Sequence, residues 1–354
     1  MKYLAKAIFI FTCSLWFAGA ATADPDLIVM RHVAERFATL PMDAHFPEGI
    51  TASPSGKIFV GTFDFGGGNK LLRFGANGLL EAVKDFGGTP LLGLGFNPAD
   101  NKVYICNFGA SKIQRIAANF TAATPVEDVA NITGIGAPPL RLVDNPDGTQ
   151  DTITFGNAFP APNAMVFKSD GSLYVSDSFQ GAIFRIDNVQ TCATPCTVTT
   201  VKHDGLLATA GFPPFGANGL AFNADESALF IANTGDDRVL RLVNLDTTND
   251  LSVFAESING ADGLTFDTKG RLWVAANQAD EVVALSNTGR VIVKLGDFLG
   301  IRHDGSAQGL IFPASLVIVG KELFVTNLAL PLTGGDEPEV DVTRYTISRM
   351  KIPE

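Results

Sequence analysis

Short apolar runs separated by turn residues recur along the chain. The clearest example, NGLAFNADESALFIANTGDDRVLRL at residues 218–242, contains strand-length apolar segments that Asn, Asp and Gly residues interrupt. Segments of this length and spacing predict an antiparallel meander rather than helices. Similar units begin at six positions, namely Gly49, Gly93, Ala164, Gly219, Gly263 and Gly309.

The recurrence of this unit predicts a β-propeller. Successive units begin 44 to 71 residues apart, and each can supply about four strands. A repeat of roughly 40–50 residues with four strands is typical of a propeller blade, whereas a two-sheet sandwich has no reason to repeat six times. We therefore predict an all-β fold, a six-bladed β-propeller that occupies residues 24–354 as a single domain.

The last unit indicates how the ring closes. The predicted third strands of the units begin at Lys70, Lys112, Ala182, Arg238, Glu281 and Thr343. Candidates for an outer strand follow only the first five of these. We expect the N-terminal residues 27–37 to supply the missing outer strand of the sixth blade, because this pairing removes an open sheet edge.

The first 23 residues have a different pattern. Lys2 and Lys6 precede an apolar run at residues 7–18, and Ala21-Thr22-Ala23 provides small residues before a cleavage point. This arrangement predicts a secretory signal peptide at residues 1–23, so we expect an exported protein, periplasmic or secreted. The apolar run is too short for a transmembrane helix, and we expect no membrane insertion.

Charge and cysteine content narrow the possible partners. The net charge is −11 and the chain has no basic runs, which argues against binding to nucleic acid or anionic membranes and is compatible with binding a cation. Cys192 and Cys196 flank three residues and could form a small disulfide in an oxidising compartment. Cys106 lies in an apolar strand, where we expect a buried free thiol. The spacing of cysteine and histidine matches no zinc site.

Long connections are predicted at one end of the ring. The turns between first and second strands are short, so the long segments belong to the opposite end. These segments are residues 134–162, 203–217, 298–307 and 329–341. Long loops on one face of a scaffold commonly carry function, so we expect the functional site at this mouth of the central channel. The expected partner is a small-molecule substrate.

The residue immediately before each unit is a candidate for the channel wall. These residues are Glu48, Leu92, Asn163, Asn218, Asp262 and Gln308. Because the first strand of each propeller blade lines the channel, they are predicted to form a ring at the mouth. Four of them, Glu48, Asn163, Asn218 and Asp262, carry the hard oxygen donors that Ca²⁺ prefers, and the two carboxylates balance one divalent cation. Magnesium is less suited to such a site, because it keeps its waters and tolerates little geometric slack.

Turn formation is the alternative explanation of these residues. Asn-Gly and Asp-Gly pairs favour tight turns, which would account for Asn218 and Asp262 individually. It does not account for Glu48, and each unit has a separate turn a few residues later. The sequence therefore favours a ligand set over a set of turns.

These motifs resemble a known family. The relevant stretches are Pro47-Glu48-Gly49, Pro162-Asn163, Asn218-Gly219-Leu220, Ala261-Asp262-Gly263-Leu264 and Arg271-Leu272-Trp273-Val274-Ala275. They are similar to the regucalcin/gluconolactonase family (senescence marker protein-like) of six-bladed propeller hydrolases and, more distantly, to diisopropyl fluorophosphatase and paraoxonase. In that family a Glu, two Asn and an Asp hold one calcium ion, which implies the same role for Glu48, Asn163, Asn218 and Asp262.

The chain departs from that family at three positions. Ala161 stands where gluconolactonase-like members usually have an Arg that grips the sugar acid, and Ala164 follows the first Asn in place of Asp or Gly. Ala52-Ser53-Pro54 replaces the usual Trp of the first motif. The resemblance therefore implies a channel less polar than a sugar-binding site.

Several polar residues near the predicted mouth are further candidates. His45 and His303 lie just upstream of ring positions and could carry protons, although a solvated loop histidine is the simpler interpretation. Asp177, Asn233 and Asn327 end second strands beside the ring, where they could orient the ligands. Capping of the strand ends explains these three residues equally simply.

Two functions are compatible with this sequence. The first is a calcium-dependent hydrolase that acts on a lactone, an ester or a related electrophile, with Asp262, or a water that it positions, as the catalytic base or nucleophile. The alternative is a non-catalytic propeller of the NHL type that binds a ligand or a protein partner at the same mouth. The ligand set favours the hydrolase, since the fold by itself is compatible with both.

Overall fold

The computed structural model describes residues 27–156 and 159–354, in which six four-stranded antiparallel units surround a central channel. The prediction of an all-β, six-bladed propeller is confirmed. The predicted signal peptide at residues 1–23 lies outside the described residues. Among the residues that the structure describes, no helix is long and apolar enough to cross a membrane.

Each blade is a meander that runs outward from the channel. The inner strands are Pro47–Ala52, Leu91–Asn97, Pro162–Phe167, Ala217–Phe222, Ala261–Phe266 and Pro313–Val319. The second strands are Ile58–Thr62, Lys102–Asn107, Leu173–Asp177, Ala228–Asn233, Leu272–Ala276 and Glu322–Asn327. The third strands are Asn69–Phe74, Lys112–Ala117, Ala182–Ile186, Arg238–Val243, Glu281–Leu285 and Thr346–Lys351. The sixth third strand thus begins three residues after the predicted Thr343.

The outer strands complete the blades and close the ring. Five of them follow their third strands and are Leu80–Gly87, Glu127–Asn131, Thr199–His203, Asp250–Glu256 and Val291–Leu295. The sixth is the N-terminal strand Glu35–Thr39, which pairs antiparallel with Thr346–Lys351. The predicted closing segment at 27–37 is therefore divided, because its first part, Ile28–Met30, instead pairs parallel with the outer strand of blade 5.

The second strands explain why the blades pack into a ring. Every residue of Ile58–Thr62 and Leu272–Ala276 is buried, since both faces of a central strand pack against a neighbouring blade. Trp273 and Tyr104 are fully buried between blades, where Trp273 packs with Leu316 and Leu323. Burial of one such large apolar side chain contributes roughly 2–3 kcal/mol to the stability of the packing between two blades. Each layer between blades is therefore a small hydrophobic core.

A bulge interrupts every inner strand at the same place. In blade 1 the register with the second strand shifts between Pro47 and Ile50, and the same shift occurs in the other five blades. A bulge re-aims the side chains inside it. The residue inside each bulge, such as Glu48, therefore leaves the ladder and lines the channel.

The inner strands approach one another closely after this bulge. A Cβ atom on Gly49 would lie 2.2 Å from the carbonyl oxygen of Leu92, and one on Gly219 would lie 2.2 Å from that of Asp262. Gly93 and Gly263 are similarly close to the next blade. Only glycine fits such an approach, which explains why most units open with this residue.

The long connections form additional structure at the mouth. One hairpin pairs Arg141–Asp144 with Gln150–Ile153, and a second pairs Phe298–Ile301 with Ala307–Gly309. Short 3₁₀ turns occupy Phe108–Ala110, Asn277–Ala279 and Pro338–Asp341.

Cys192 and Cys196 are joined by a disulfide in the connection to the outer strand of blade 3, and Cys106 is a buried free thiol.

Closure by the N-terminal strand can be tested by two deletions. Removal of residues 27–39 should expose the third strand of blade 6 and buried side chains that pack against the deleted strand, including that of Phe324, and should cause aggregation or a much lower melting temperature. Removal of residues 27–31 is the matched control, because it deletes only the parallel strand on blade 5. Equal melting temperatures for the two truncated proteins would show that Glu35–Thr39 does not close the ring.

Candidate metal centre at the channel mouth

The four predicted ligands lie together. Glu48, Asn163, Asn218 and Asp262 are all buried, and all line one cavity of about 30 Å³ at the mouth of the channel. They come from blades 1, 3, 4 and 5, and each occupies the bulge of its inner strand. The equivalence of the blades thus brings together residues that are far apart in sequence.

The sixth ring position differs from the prediction. Pro313 pairs with Asn327 as Pro47 pairs with Thr62, which places Ala314, rather than Gln308, at the position equivalent to Glu48. Gln308 lies in the extra hairpin at the mouth and is exposed. The prediction of Gln308 was wrong because the end of this hairpin and the apolar residues that follow it mimic the start of an inner strand. The ring is therefore Glu48, Leu92, Asn163, Asn218, Asp262 and Ala314.

Three oxygen atoms of the ring are buried without a hydrogen-bond partner. They are Oε2 of Glu48, Oδ1 of Asn163 and Oδ1 of Asp262. A buried polar atom normally has a partner, because leaving it unsatisfied costs about 1–3 kcal/mol, and more for a charged group. Three such acceptors around one small cavity therefore suit a cation or a hydrogen-bond donor.

A second ring of residues holds the ligands in place. It consists of the residue that follows each second strand, and in three blades this residue is polar. Ser178 accepts a hydrogen bond from Nδ2 of Asn163 (2.8 Å), and Thr234 accepts one from Nδ2 of Asn218 (2.9 Å). Because these amide nitrogens are engaged, the amide oxygen of Asn163 is left for the cavity. No pattern in the sequence predicted this ring.

The hydroxyl groups of the second ring also connect neighbouring blades. Ser178 donates to the carbonyl oxygen of Ala217 (2.7 Å), and Thr234 donates to that of Ala261 (2.8 Å). Each therefore links the ligand of its own blade to the backbone beside the ligand of the next. These chains of hydrogen bonds fix the relative positions of Asn163, Asn218 and Asp262.

Asn277 is the member of the second ring that holds Asp262. Its Nδ2 donates to Oδ2 of Asp262 at 3.1 Å, which leaves Oδ1 of Asp262 facing the cavity. Asn277 itself lines the cavity and is buried. Gly260 allows this position, because a Cβ at Gly260 would lie 1.7 Å from Oδ1 of Asn277.

The remaining half of the second ring is apolar. Leu328, Phe63 and Phe108 follow the second strands of blades 6, 1 and 2. The cavity is also lined by Leu92, Pro213, Phe215, Phe312 and Leu330. Polar support thus comes from blades 3 to 5, and the opposite side of the mouth is hydrophobic.

The two carboxylates are electrostatically unfavourable as a pair. Burial raises the pKa of Glu48, and the nearby carboxylate of Asp262 raises it further. Burial likewise raises the pKa of Asp262 to about 7, although the nearby amide groups of Asn277 and Asn218 oppose this shift. The cavity lining described by the structure contains no Lys, Arg or His, so no side chain there compensates the charge.

The donors fit a single calcium ion. Glu48, Asn163, Asn218 and Asp262 offer only carboxylate and amide oxygens, which are ligands of hard cations. The unpartnered oxygens of Glu48, Asn163 and Asp262 face a cavity that is large enough for one ion or water but not for an organic molecule. Among the described residues, no three His, Cys, Asp or Glu side chains converge, so the ring of two carboxylates and two amides is not a zinc-type site.

The other candidate residues have local structural roles. Asp177 accepts hydrogen bonds from the backbone of Ala161 and Gln180, and Asn233 donates to the carbonyl oxygens of Leu206 and Ala208. Asn327 donates to Thr346 and Ser348. Each of the three caps its strand end, and none has a hydrogen bond to a ring ligand.

The two histidines lie outside the cavity lining. Nδ1 of His45 lies 3.0 Å from Oδ2 of Asp64, and its Nε2 lies 3.1 Å from the carbonyl oxygen of Met42. His303 is exposed in the turn of the hairpin that joins Phe298–Ile301 to Ala307–Gly309. Proton transfer by either histidine would therefore require groups beyond those that line the cavity.

The pH dependence of stability tests the electrostatics of the metal-free site. The pKa of Asp262 is raised from 3.8 to about 7, so the folded protein favours the protonated carboxyl group. The resulting contribution to the free energy of unfolding is complete below pH 4 and is lost as pH rises towards 7. The melting temperature of chelator-treated protein should therefore fall between pH 5 and pH 8 relative to a Glu48→Gln/Asp262→Asn variant. Ca²⁺ should remove this fall. Parallel melting curves for the two proteins at both pH values would contradict the assignment.

Comparison with known proteins supports this fold. Residues 197–296 match the model of the family described as SMP-30/Gluconolactonase/LRE-like region. No functionally curated protein matches the sequence. Among solved structures, a calcium-binding protein, regucalcin, from Agrobacterium tumefaciens has a TM-score of 0.61 at 15% identity, over 92% of this chain and 95% of the other.

Two further solved structures have the same fold. A gluconolactonase from Xanthomonas campestris gives a TM-score of 0.56 at 15% identity and covers 93% of this chain and 95% of its own. Virginiamycin B lyase from Staphylococcus aureus gives a TM-score of 0.53 at 15% identity and covers 90% and 99% of the two chains. At these identities the likeness establishes the fold. The predicted resemblance is therefore confirmed, since the chain has the propeller fold of regucalcin and gluconolactonase, and its residues 197–296, which include Asn218 and Asp262, match the SMP-30/gluconolactonase family model.

Proposed function

We propose that this protein is an exported, calcium-dependent hydrolase that acts on a lactone, an ester or a related electrophile at the channel mouth. The observation that carries the proposal is the convergence of unpartnered, buried oxygens from Glu48, Asn163 and Asp262 on one cavity. A purely structural propeller gains nothing from burying two carboxylates without a counter-charge, because each buried charge costs several kcal/mol.

Four side chains would hold the ion. Glu48 and Asp262 supply its counter-charge, and Asn163 and Asn218 supply neutral oxygens, so that part of its coordination sphere remains for water and substrate. When bound, calcium provides a Lewis acid that polarises a carbonyl or phosphoryl oxygen. The amide contacts with Ser178 and Thr234 keep these oxygens oriented in the absence of substrate.

Asp262 is the residue best placed to handle a proton. One of its oxygens is held by Asn277, and the other faces the cavity without a partner. A carboxylate held in this way can orient a water molecule and accept its proton, or attack the electrophile itself.

The comparisons are consistent with this chemistry. The structurally similar proteins include one named as a calcium-binding regucalcin and one named as a gluconolactonase. Asn218 and Asp262, which lie within the matched residues 197–296, are two of the four proposed ligands. A lactone or ester is therefore the electrophile that we expect.

Ligand substitutions test the metal site directly. Asn277→Ala removes a residue that supports a ligand and should weaken calcium binding by roughly 10–100-fold. Asp262→Asn removes half of the negative charge of the site and should weaken calcium binding by more than this. Asn218→Asp should tighten calcium binding and slow turnover, because a more fully neutralised cation is a weaker Lewis acid. Calorimetric titration with Ca²⁺ measures the affinities. Asp225→Asn, an equal charge change in the turn at the opposite end of blade 4, should leave them unchanged.

Activity is tested with the same proteins. Wild-type protein should hydrolyse members of a panel of lactones and aryl esters, should lose this activity with chelator and should regain it with Ca²⁺. The Asp262→Asn variant should have only the activity of chelated protein. Hydrolysis that persists undiminished after removal of the metal would refute the proposal. Calcium binding without hydrolysis of any substrate would favour the alternative, a non-catalytic propeller that binds a ligand or partner at this mouth.

Export is tested by the mature N-terminus. If residues 1–23 are a signal peptide, protein isolated from the medium or periplasm of expressing cells should begin at Asp24. Intact-mass measurement without reduction should show one disulfide, Cys192–Cys196, and one free thiol, Cys106, because the disulfide requires an oxidising compartment. Recovery of full-length protein in the cytoplasm with three free thiols after residue 23 would contradict export.

A further inference from the structure

Six phenylalanine side chains form a continuous surface beside the metal centre. We call this surface the aromatic wall and define it as Phe63, Phe65, Phe108, Phe159, Phe179 and Phe215. Neighbouring rings have centroids 4.8 to 6.2 Å apart, and most pairs meet edge to face. These distances and orientations are those of favourable aromatic contacts, so the wall is a packed and ordered surface.

The wall extends from the core to solvent. Phe63 and Phe108 are buried, and Phe179 and Phe215 are half-buried. Phe65 and Phe159 are 72% and 54% exposed. Core packing explains the buried rings but not the exposed ones, and a contiguous exposed apolar surface next to a cavity is typical of a ligand-binding site.

The wall is continuous with the metal centre. Phe63 and Phe215 line the same cavity as Glu48 and Asp262. This cavity, at about 30 Å³, can hold an ion but not the body of a substrate. A substrate whose reacting oxygen reaches the ring must therefore place its remaining atoms outside the cavity, against the residues of the mouth.

The opposite side of the mouth is also apolar. Phe312, Leu328 and Leu330 complete the cavity lining there, and Phe312 and Leu328 pack in one cluster. Within the lining that the structure describes, the polar side chains are the ring ligands Glu48, Asn163, Asn218 and Asp262 and the second-ring residues Thr234 and Asn277. Ala161, which precedes the inner strand of blade 3, is fully buried in the core and offers no polar contact.

We propose that the aromatic wall binds an extended apolar group of the substrate. The substrate is then an ester or lactone with an alkyl or aryl substituent, not a polyhydroxylated sugar acid derivative. Hydroxyl groups placed against these rings would lose their hydrogen bonds to water without replacement, whereas an alkyl or aryl group gains by leaving water. This inference rests on the proposed function, since it assumes that the reacting end of the substrate lies at the ring.

Non-hydrolysable ligands test the wall independently of catalysis. Linear carboxylates of two to ten carbons, titrated into Ca²⁺-loaded wild-type protein, should bind more tightly by roughly threefold to fourfold per added methylene along the wall. D-Gluconate is the polar control and should bind no better than acetate. The corresponding linear alcohols, titrated in the presence of chelator, should show the same dependence on chain length, because the wall does not require the metal.

Substitutions in the wall provide the second measurement. Phe179→Ser changes a ring of the wall that does not line the ion cavity, so it should reduce the dependence on chain length and leave the affinity for acetate and Ca²⁺ unchanged. Phe65→Ser/Phe159→Ser alters only exposed rings, so it should fold normally and reduce the dependence for the longest ligands. Leu79→Ser is the matched control, since Leu79 is 66% exposed at the outer edge of blade 1 and should have no effect.

The outcomes separate the wall from the proposed hydrolase. If alcohols show the chain-length effect but Ca²⁺ adds nothing to carboxylate binding, the wall is supported and the metal centre fails. If esters are hydrolysed but neither series depends on chain length, the hydrolase stands and the wall proposal is wrong. Sedimentation of the wild-type protein and the Phe65→Ser/Phe159→Ser variant tests another explanation, namely that the wall is a contact between two copies of the protein. A dimer that this variant dissociates would show that a second copy covers the wall, and would also overturn the proposal.

Discussion

At four of the six contacts between neighbouring inner strands, the backbones approach so closely that no side chain fits between them. A Cβ on Gly49 or on Gly219 would lie 2.2 Å from a carbonyl oxygen of the next blade. This approach sets the width of the channel, and the bulge that precedes it turns one side chain per blade away from the ladder. Convergence of the ring is therefore a property of the backbone. Which residues occupy the ring decides what the channel can bind.

The two carboxylates of the ring make the stability of the protein depend on the charge at the channel mouth. Glu48 and Asp262 come from blades 1 and 5, yet both are costly to ionise because they are buried, and the carboxylate of Asp262 raises the pKa of Glu48 further. Their repulsion acts on a molecule that already carries a net charge of −11. A bound cation would turn this repulsion into attraction between distant blades, and would stabilise the closed ring by mass action. The same two carboxylates therefore weaken the metal-free protein and define its proposed activity.

The mouth divides into a polar side and an apolar side at one structural position. The residue after the second strand is Ser178, Thr234 or Asn277 in blades 3 to 5, where it holds a ligand through a hydrogen bond. In blades 6, 1 and 2 the equivalent residue is Leu328, Phe63 or Phe108. The propeller supplies six equivalent positions, and function arises from the differences between them. The aromatic wall extends the apolar lining outward from blades 1 to 4, so the proposed metal centre and the wall would bind opposite ends of one substrate.

The sequence by itself determined the fold class and five of the six ring residues, because the repeat is local: each unit carries its own apolar runs and turns, and most units open with glycine. It did not determine the sixth ring position, since the hairpin before blade 6 ends with the same apolar pattern as an inner strand and only pairing with Asn327 identifies Ala314. The roles of Asn277 and Thr234 depend on hydrogen bonds that form once the blades are packed. The aromatic wall was equally out of reach, because its six members are ordinary apolar residues among 27 phenylalanines. Tertiary structure alone decides which of these rings meet at the mouth, since contacts between blades join residues that no local pattern relates.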